Sequence, residues 1–277
     1  MKKRFLLLFT ITSILLGLLL YSHIQLKAVY TWGSNVEHDL LSDELTVVTY
    51  NIRYGKGLDG KVNLNPTIET LKNLDADIIS LQEVERYSVR SLFSDQVTEI
   101  AKALQMNAFY YPSLSYPGLY YGNVILTKYP IAKTNAIIFE NVGENRSAIV
   151  AKIKLPNDEQ LYVVNTHLGL NKHERTQAIE KLYELIKVKE KPVLITGDLN
   201  STPKMHEYKL WDSLLTKSNL GIPLQTFHEE DWQIDYIFHS PHFLVNDVKT
   251  IESIASDHYP VKAKLQIIDN GSFMSGY

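Results

Sequence analysis

The residues with the most chemical capacity in this sequence stand where apolar runs stop. Asn51 closes the run that starts at Leu45, and Gln82-Glu83 closes the run from Asp77. Asn165-Thr166-His167 follows Gln160–Val164, and Asp198-Leu199-Asn200 follows Pro192–Gly197. Asp235 follows Ile234 directly, and Ser256-Asp257-His258 precedes the run Val261–Ile267. A charged group at the end of an apolar strand loses hydration unless it is paired or binds a metal. Groups gathered at one rim of a sheet are also held by rigid elements, which suits a functional site. Singly, Asn51 or Asp198 reads as a turn former and His167 as a partly buried, satisfied histidine. Six such ends together exceed what turn chemistry explains. The chain has no cysteine, so any metal they hold must be bound through oxygen or imidazole.

The elements that must position these residues alternate between strand and helix. Leu45–Ile52 (LTVVTYNI) has the β-branched and aromatic content of a strand. Asn65-Pro66 reads as a helix cap followed by proline at the first helical position, with Ile68, Leu71 and Leu74 on one face. Asp77–Val84 is a buried strand. Ser94 is placed to cap a helix whose inner face carries Val97, Ile100 and Leu104. Asn123–Thr127, Ala148–Leu155 and Gln160–Thr166 read as strands, Lys172–Val188 as a helix, and Pro192–Gly197 and Ile234–His239 as short buried strands. Val261–Ile267 alternates apolar and polar residues strictly, as a half-exposed strand does. No internal repeat interrupts this order, which suggests one α/β domain of layered sheets over residues 45–267.

Composition narrows the class. At 277 residues with 45% hydrophobic and 21% charged side chains, the chain is neither disordered nor a coiled coil. Zero cysteine removes disulfides, thiolate nucleophiles and iron–sulfur clusters. The net charge of −3 hides an asymmetry: Lys2, Lys3, Arg4 and Lys27 lie in a leader without acids, and setting them aside leaves 24 basic against 31 acidic residues, a net of −7. An acidic domain is biased against non-specific nucleic-acid binding. Lys2-Lys3-Arg4 followed by the apolar run Phe5–Leu20 reads as an export signal or a membrane anchor within residues 1–28. The absence of a clean small-x-small cleavage site (Leu26-Lys27-Ala28 is a poor one) favours the anchor. Basic residues stay on the cytoplasmic side, so the domain is expected to be extracytoplasmic, anchored or secreted. Residues 29–44 read as a tether and 268–277 as a C-terminal tail.

Thr49-Tyr50-Asn51, Leu81-Gln82-Glu83-Val84, Asn165-Thr166-His167, Gly197-Asp198-Leu199-Asn200, Ile234-Asp235-Tyr236 and Ser256-Asp257-His258-Tyr259-Pro260-Val261 occur in that order across residues 45–267. The series resembles the motif set of the endonuclease/exonuclease/phosphatase superfamily, which includes deoxyribonuclease I, abasic-site endonucleases, neutral sphingomyelinases and inositol polyphosphate phosphatases. Each motif alone is weakly specific; the ordered set is strongly so. The resemblance implies a four-layered α/β/β/α sandwich and metal-dependent hydrolysis of phosphate esters.

It also implies roles. Glu83 matches the main metal ligand, with Asn51 and Asp257 in support. A carboxylate suits Mg²⁺, with Mn²⁺ or Ca²⁺ as other candidates. Asp198 matches the residue that orients or deprotonates the attacking water, and Asn200 its partner at the phosphate or a second metal. His258 matches the catalytic histidine and Asp235 the carboxylate that holds its ring. His167 matches a second histidine found in the deoxyribonuclease-like and phosphatase branches. Arg146 is a candidate phosphate contact or an ordinary surface arginine, and Asn123 falls at a motif often close to the site.

Substrate class is less constrained. The aromatic segment Phe109–Tyr121 could stack a base, line a lipid or sugar pocket, or pack its loop onto the sheet. No long insertion of the kind abasic-site enzymes use lies between Asp198 and Asp235, and Asn219–Gln233 is short and mildly acidic. Thr226-Phe227 ahead of Trp232 resembles the small exported phosphatase-like members. The expectation is an exported or membrane-anchored phosphoesterase acting by direct water attack on a small or lipid-linked phosphomonoester or phosphodiester, with an extracellular deoxyribonuclease-like enzyme as the alternative. A membrane contact is expected through the N-terminal segment, and no obligate protein partner is evident. A fold retained without chemistry would need a missing motif residue, and none is missing.

Overall fold

The computed structural model describes residues 2–25, 30–33, 44–156, 159–187 and 191–268. The cleavage-site candidate Leu26-Lys27-Ala28, most of the tether and nearly all of the tail lie outside the described residues. A leading helix α1 (Lys2–Gln25) and a short strand β1 (Tyr30–Trp32) come first. The chain then runs from β2 (Glu44–Asn51) through α2 (Leu64–Leu74) to β3 (Ile78–Glu85), and through α3 (Gln96–Leu104) to the hairpin of β4 (Asn107–Tyr116) and β5 (Leu119–Thr127). A second hairpin, β6 (Ile131–Phe139) and β7 (Arg146–Lys154), leads to β8 (Gln160–His167), α4 (Lys172–Ile186), β9 (Val193–Asp198), the one-turn α5 (Lys209–Asp212), β10 (Thr216–Lys217) and β11 (Asp235–His239). β12 (Phe243–Thr250) and β13 (Val261–Ile267) close the described fold.

Two mixed sheets result, ordered β1-β4-β5-β3-β2-β13-β12 and β10-β11-β9-β8-β7-β6. Each has one parallel pair joined by a crossover helix: β2 and β3 through α2, and β8 and β9 through α4. Side chains alternate across a strand, so β2 sends Leu45 and Val47 into the core between the sheets and Val48 and Tyr50 into the core under α2 and α3. A third core under α4 and α5 gathers Ile179, Leu182 and Trp211 against Val164, Ile195 and Phe238. The layers are helix, sheet, sheet, helix. The same alternation carries Thr49 and Asn51 onto the inter-sheet face, and there the core turns polar.

That polar seam closes the sandwich at one end. The Gln82 amide nitrogen donates to Thr49 Oγ1 at 3.1 Å and to Asn165 Oδ1 at 2.7 Å. Asn165 Nδ2 donates to the carbonyls of Leu81 and Val124 at 2.8 Å each, joining β8 to two strands of the other sheet. Thr196 donates to Ser80 Oγ at 2.6 Å and Asn123 Nδ2 to the Ser147 carbonyl at 2.9 Å, again across the gap. Backbone approach is tight as well. Gly197 has φ 143°, and a Cβ there would stand 1.8 Å from the Thr166 carbonyl oxygen, so β9 can lie against β8 at this point only with glycine.

Several expected boundaries move by a residue or two. The cap of α2 is Asn63, whose side chain accepts from Asn65 N at 3.1 Å; Pro66 becomes the third helical residue, where its missing N–H would have been unpaired anyway. Asp95, not Ser94, caps α3 through Thr98 N, and the Ser94 hydroxyl donates to Glu99 instead. The tether contributes β1 to the first sheet. The aromatic segment is a β-hairpin of the first sheet in which Phe109, Tyr110, Tyr120 and Tyr121 are buried.

Two substitutions test this frame by urea unfolding. Gly197→Ala is expected to cost about 3 kcal/mol or to prevent folding, because backbone must move. Asn165→Ala, which strips donors from two buried carbonyls, is expected to cost about 3 kcal/mol. Changes under about 0.5 kcal/mol at both positions would contradict the seam described.

Candidate active site

The strand ends meet at the mouth of the seam, and Asp198 is at the centre. It is 1% exposed at the end of β9. Its Oδ1 accepts the Asn200 N–H at 2.9 Å, and its Oδ2 accepts Asn51 Nδ2 at 3.0 Å. Two imidazoles flank the same oxygen, His167 Nε2 at 3.5 Å and His258 Nε2 at 3.8 Å. The Asn51 amide also donates to Glu83 Oε1 at 3.0 Å, so one side chain spans the two acids. Glu83 reaches this position because β3 slips register between Leu81 and Val84 and Glu83 itself adopts φ 59°, a bulge that re-aims the side chain.

Electrostatics sort the two histidines into different states. His258 Nδ1 lies 2.9 Å from Asp235 Oδ2, and Asp235 is fully buried. Burial alone would lower the His258 pKa, but the Asp235 carboxylate, with Asp198 and Asp257 behind it, raises it to about 10. His167 has the opposite fate. Burial, then the positive charges of Arg146 and His258, hold it well below the ordinary imidazole value. At neutral pH the pair is therefore one imidazolium and one neutral ring. Asp198 is pushed up by burial and by Asp235, against the pull of His258 and its own hydrogen bonds.

The remaining expected residues are placed as follows. Arg146 is buried at the start of β7, with Nη1 donating to Tyr121 Oη at 3.3 Å and Glu144 at 2.6 Å, and lies 3.4 Å from His167 Nδ1. It belongs to the site and not to the outer surface. Asn200, at φ 48°, donates its side-chain amide to the Leu168 carbonyl at 2.8 Å and so ties the loops after β8 and β9 together. Asn123 is buried, and its amide is engaged by Ser147 between the sheets. Asp257 pairs with the Arg53 guanidinium at 3.1 Å. Arg53 was not among the expected site residues, while Gln82, Asn165 and Tyr121 lay in the expected motifs and the aromatic segment without a role assigned to them. Arg53 could have been found, since it stands two residues beyond Asn51 at the same strand end.

The donor set accommodates a hard divalent cation. Glu83 is half-buried, desolvation raises its pKa, and its side-chain hydrogen bond comes from a neutral amide. That is the condition of a carboxylate short of positive charge. Among the described residues, Asp198, Asp235 and His258 form an acid–histidine cluster with ligand atoms within 4.8 Å of one another. Its Asp235–His258 hydrogen bond already supplies a cation in the form of the imidazolium, which leaves Glu83 as the acid with a charge to share.

The profile of the Endonuclease/Exonuclease/phosphatase family matches residues 48–258, from β2 to His258. The chain belongs to this family. Its members are hydrolytic phosphoesterases that generally depend on divalent metals, and the α/β/β/α sandwich is theirs. The uncharacterized protein YbhP of Escherichia coli is 26% identical over 198 residues, covering 65% of this chain and 78% of its own. An endonuclease/exonuclease/phosphatase from Beutenbergia cavernae superposes with a TM-score of 0.70 at 20% identity, covering 81% of this chain and 72% of that one. A mannosyl-6-phosphatase from Bacteroides thetaiotaomicron gives 0.63 at 21% identity, with 80% and 99% covered. At these identities the solved structures share the fold.

The Asp235–His258 pair has a stability signature. A folded pKa raised to about 10 stabilises the fold fully below the ordinary histidine value of about 6.5, and the contribution is lost as pH rises towards about 10. In chelator-treated protein, urea unfolding is expected to show stability falling across that window, with a flatter profile in Asp235→Asn. Parallel profiles for the two proteins would contradict the assignment.

Proposed function

We propose that this chain is a membrane-anchored, Mg²⁺-dependent phosphoesterase that hydrolyses a phosphomonoester or phosphodiester with a small or lipid-linked leaving group by direct attack of water. The observation that carries the reading is the placement of Asp198 between a neutral His167 and a charged His258, with Glu83 one amide away. Glu83, supported by Asn51 and Asp257, would hold the metal. Bound there, the ion would polarise the phosphoryl oxygens and stabilise the leaving oxygen.

The chain's own groups supply the rest. Asp198 accepts a proton from the attacking water as the new P–O bond forms and the ester P–O bond breaks. Asn51 and the Asn200 N–H fix the carboxylate in place for that transfer. His258, held by Asp235, donates to a phosphoryl oxygen as charge builds on it. His167, backed by Arg146, faces the same centre from the second sheet. No serine or cysteine nucleophile is needed.

The leaving group has a place to go. A cleft of about 430 Å³ beside the Asn200 loop is lined by Thr202, Lys204, Lys217, Trp232 and Gln233. Trp232 stacks on Phe227, which sets its edge against the His258 ring at 5.2 Å between centroids, so an aromatic wall runs from the cleft to the reacting centre. The acidic run Glu229-Glu230-Asp231 at its lip weighs against a nucleic-acid backbone.

The full chain in detergent, with Mg²⁺ or Mn²⁺, should hydrolyse at least one of a phosphomonoester, a phosphodiester or phospholipid vesicles, and a chelator should abolish the activity. Asp198→Ala and His258→Ala should each lower kcat by roughly 10²- to 10⁴-fold. Rapid nicking of plasmid DNA, lost in the same variants, would make the enzyme a nuclease instead, and no hydrolysis of any substrate would overturn the reading.

A further inference from the structure

Exposed apolar side chains are not scattered over this molecule. Every strand end that builds the site points to one end of the sandwich, and the loops after β2, β3, β8 and β9, the β4–β5 and β6–β7 turns, and the segments before β11 and β13 form its rim. Among the described residues outside α1, every large hydrophobic side chain left exposed lies on this rim except Tyr183 on α4 and Leu244 at the far end of β12. The most exposed are Val142 at 97%, Leu92 at 84%, and Leu170 and Ile254 at 76% each, with Leu58 and Trp232 also in the ring. They come from loops of both sheets and encircle a buried, polar centre. Single exposed apolar residues are ordinary, but their confinement to one face marks a contact surface.

The anchor helix points to what covers that face. The segment Lys2–Tyr21 of α1 is long and apolar enough to cross a membrane, and none of it is buried against the rest of the chain by more than a touch. The touch is informative. A Cβ added at Gly118, in the β4–β5 turn, would lie 3.1 Å from Leu19 Cδ2 and 3.1 Å from Val89 Cγ2. The outward end of the apolar helix therefore meets the domain at the rim, beside the 89–93 apolar loop. That loop is not slack: Arg86 and Asp95 clamp its two ends with two hydrogen bonds of 2.7 Å, and Arg90 pairs with Glu85 and lies over the Tyr54 ring. A bilayer that holds α1 up to Tyr21 lies at the level of the turn and of the rigid loop beside it.

We infer that the apolar rim rests in the interface of the membrane that α1 crosses, so that the active site opens onto the bilayer and takes a phosphate ester carried on a lipid. This inference rests on the reading of α1 as a membrane anchor and narrows the substrate class proposed above to the lipid-linked one. The rim loops supply a second membrane contact independent of the anchor. They also let the polar headgroup enter between Asp198, His258 and Glu83 while the acyl chains stay in the bilayer.

The chain has no native cysteine, so single labels are unambiguous. Leu92→Cys, Val142→Cys and Ile254→Cys in the full chain, each carrying the polarity-sensitive fluorophore NBD, are to be compared with Leu244→Cys in phosphatidylcholine vesicles and in nanodiscs holding one chain each. The inference expects blue-shifted emission, quenched by doxyl-labelled lipid, at the three rim positions in both settings and none at Leu244. Chains that float with the vesicles but show rim emission equal to that at Leu244 overturn the rim contact while leaving the anchor standing. Chains that do not float overturn both. A shift in vesicles that vanishes in single-chain nanodiscs assigns the rim to a second copy and overturns it too. On the activity side, Leu92→Asp with Val142→Asp should lower hydrolysis of a vesicle-embedded phosphate ester about tenfold, as expected for losing about 1.4 kcal/mol of surface affinity, and leave a soluble ester untouched. An equal fall on both substrates would contradict the role assigned to the rim.

Discussion

A carboxylate taken out of water must be met by donors, and Asp198 meets its need with groups from both sheets: the Asn200 N–H on its own loop, the Asn51 amide from the facing sheet, and two imidazoles on either side. This demand organises the end of the sandwich. Asn51 must sit at the last inward position of β2, Gly197 must let β9 press against β8, and the seam bonds of Gln82 to Asn165 and of Thr196 to Ser80 must hold the sheets at one separation. The hydrophobic cores on either side of each sheet supply the rigidity, and the seam supplies the register. A slip of one residue in β2 would turn Asn51 away from the gap and leave both Asp198 and Glu83 short of a donor.

The same arrangement yields chemistry because its charges are unequal. One histidine is tied to a buried acid and kept charged; the other is kept neutral by burial and then by the cations beside it. In the proposed mechanism, the carboxylate between them activates water, with a proton donor to phosphate on one side and a neutral ring on the other. In the proposed function, the half-buried Glu83 beyond the Asn51 amide is the acid that would hold a metal. Leu92, Val142 and Ile254 ring this polar pocket, and on the inference drawn above that rim would set where the centre works, at a lipid surface.

Much of this was legible in the order of residues. Strands buried on both faces, such as Leu45–Ile52 and Pro192–Gly197, advertise themselves by continuous apolar content, and the polar residues that end them mark the site. The strands that escaped notice include the sheet edges β1, β6, β10 and β12. Edge strands are half-solvated, and β12 is further broken by a register shift between Val245 and Asp247, so their pattern is weak. Asn123 could be located but not interpreted, because only the packing of β5 over β7 shows that its amide is engaged by Ser147. Arg53 stood in plain view beside Asn51, yet its pairing with Asp257 joins residues 204 positions apart, a contact that no local spacing encodes.

The unequal protonation of His167 and His258 is the claim on which the rest turns, and it is directly observable. In the metal-free full chain with ¹⁵N-labelled histidine at pH 7, the account predicts two protonated ring nitrogens on His258 and one on His167, the two signals being assigned by His258→Gln and His167→Gln. A neutral His258, or two rings in the same state, would contradict it.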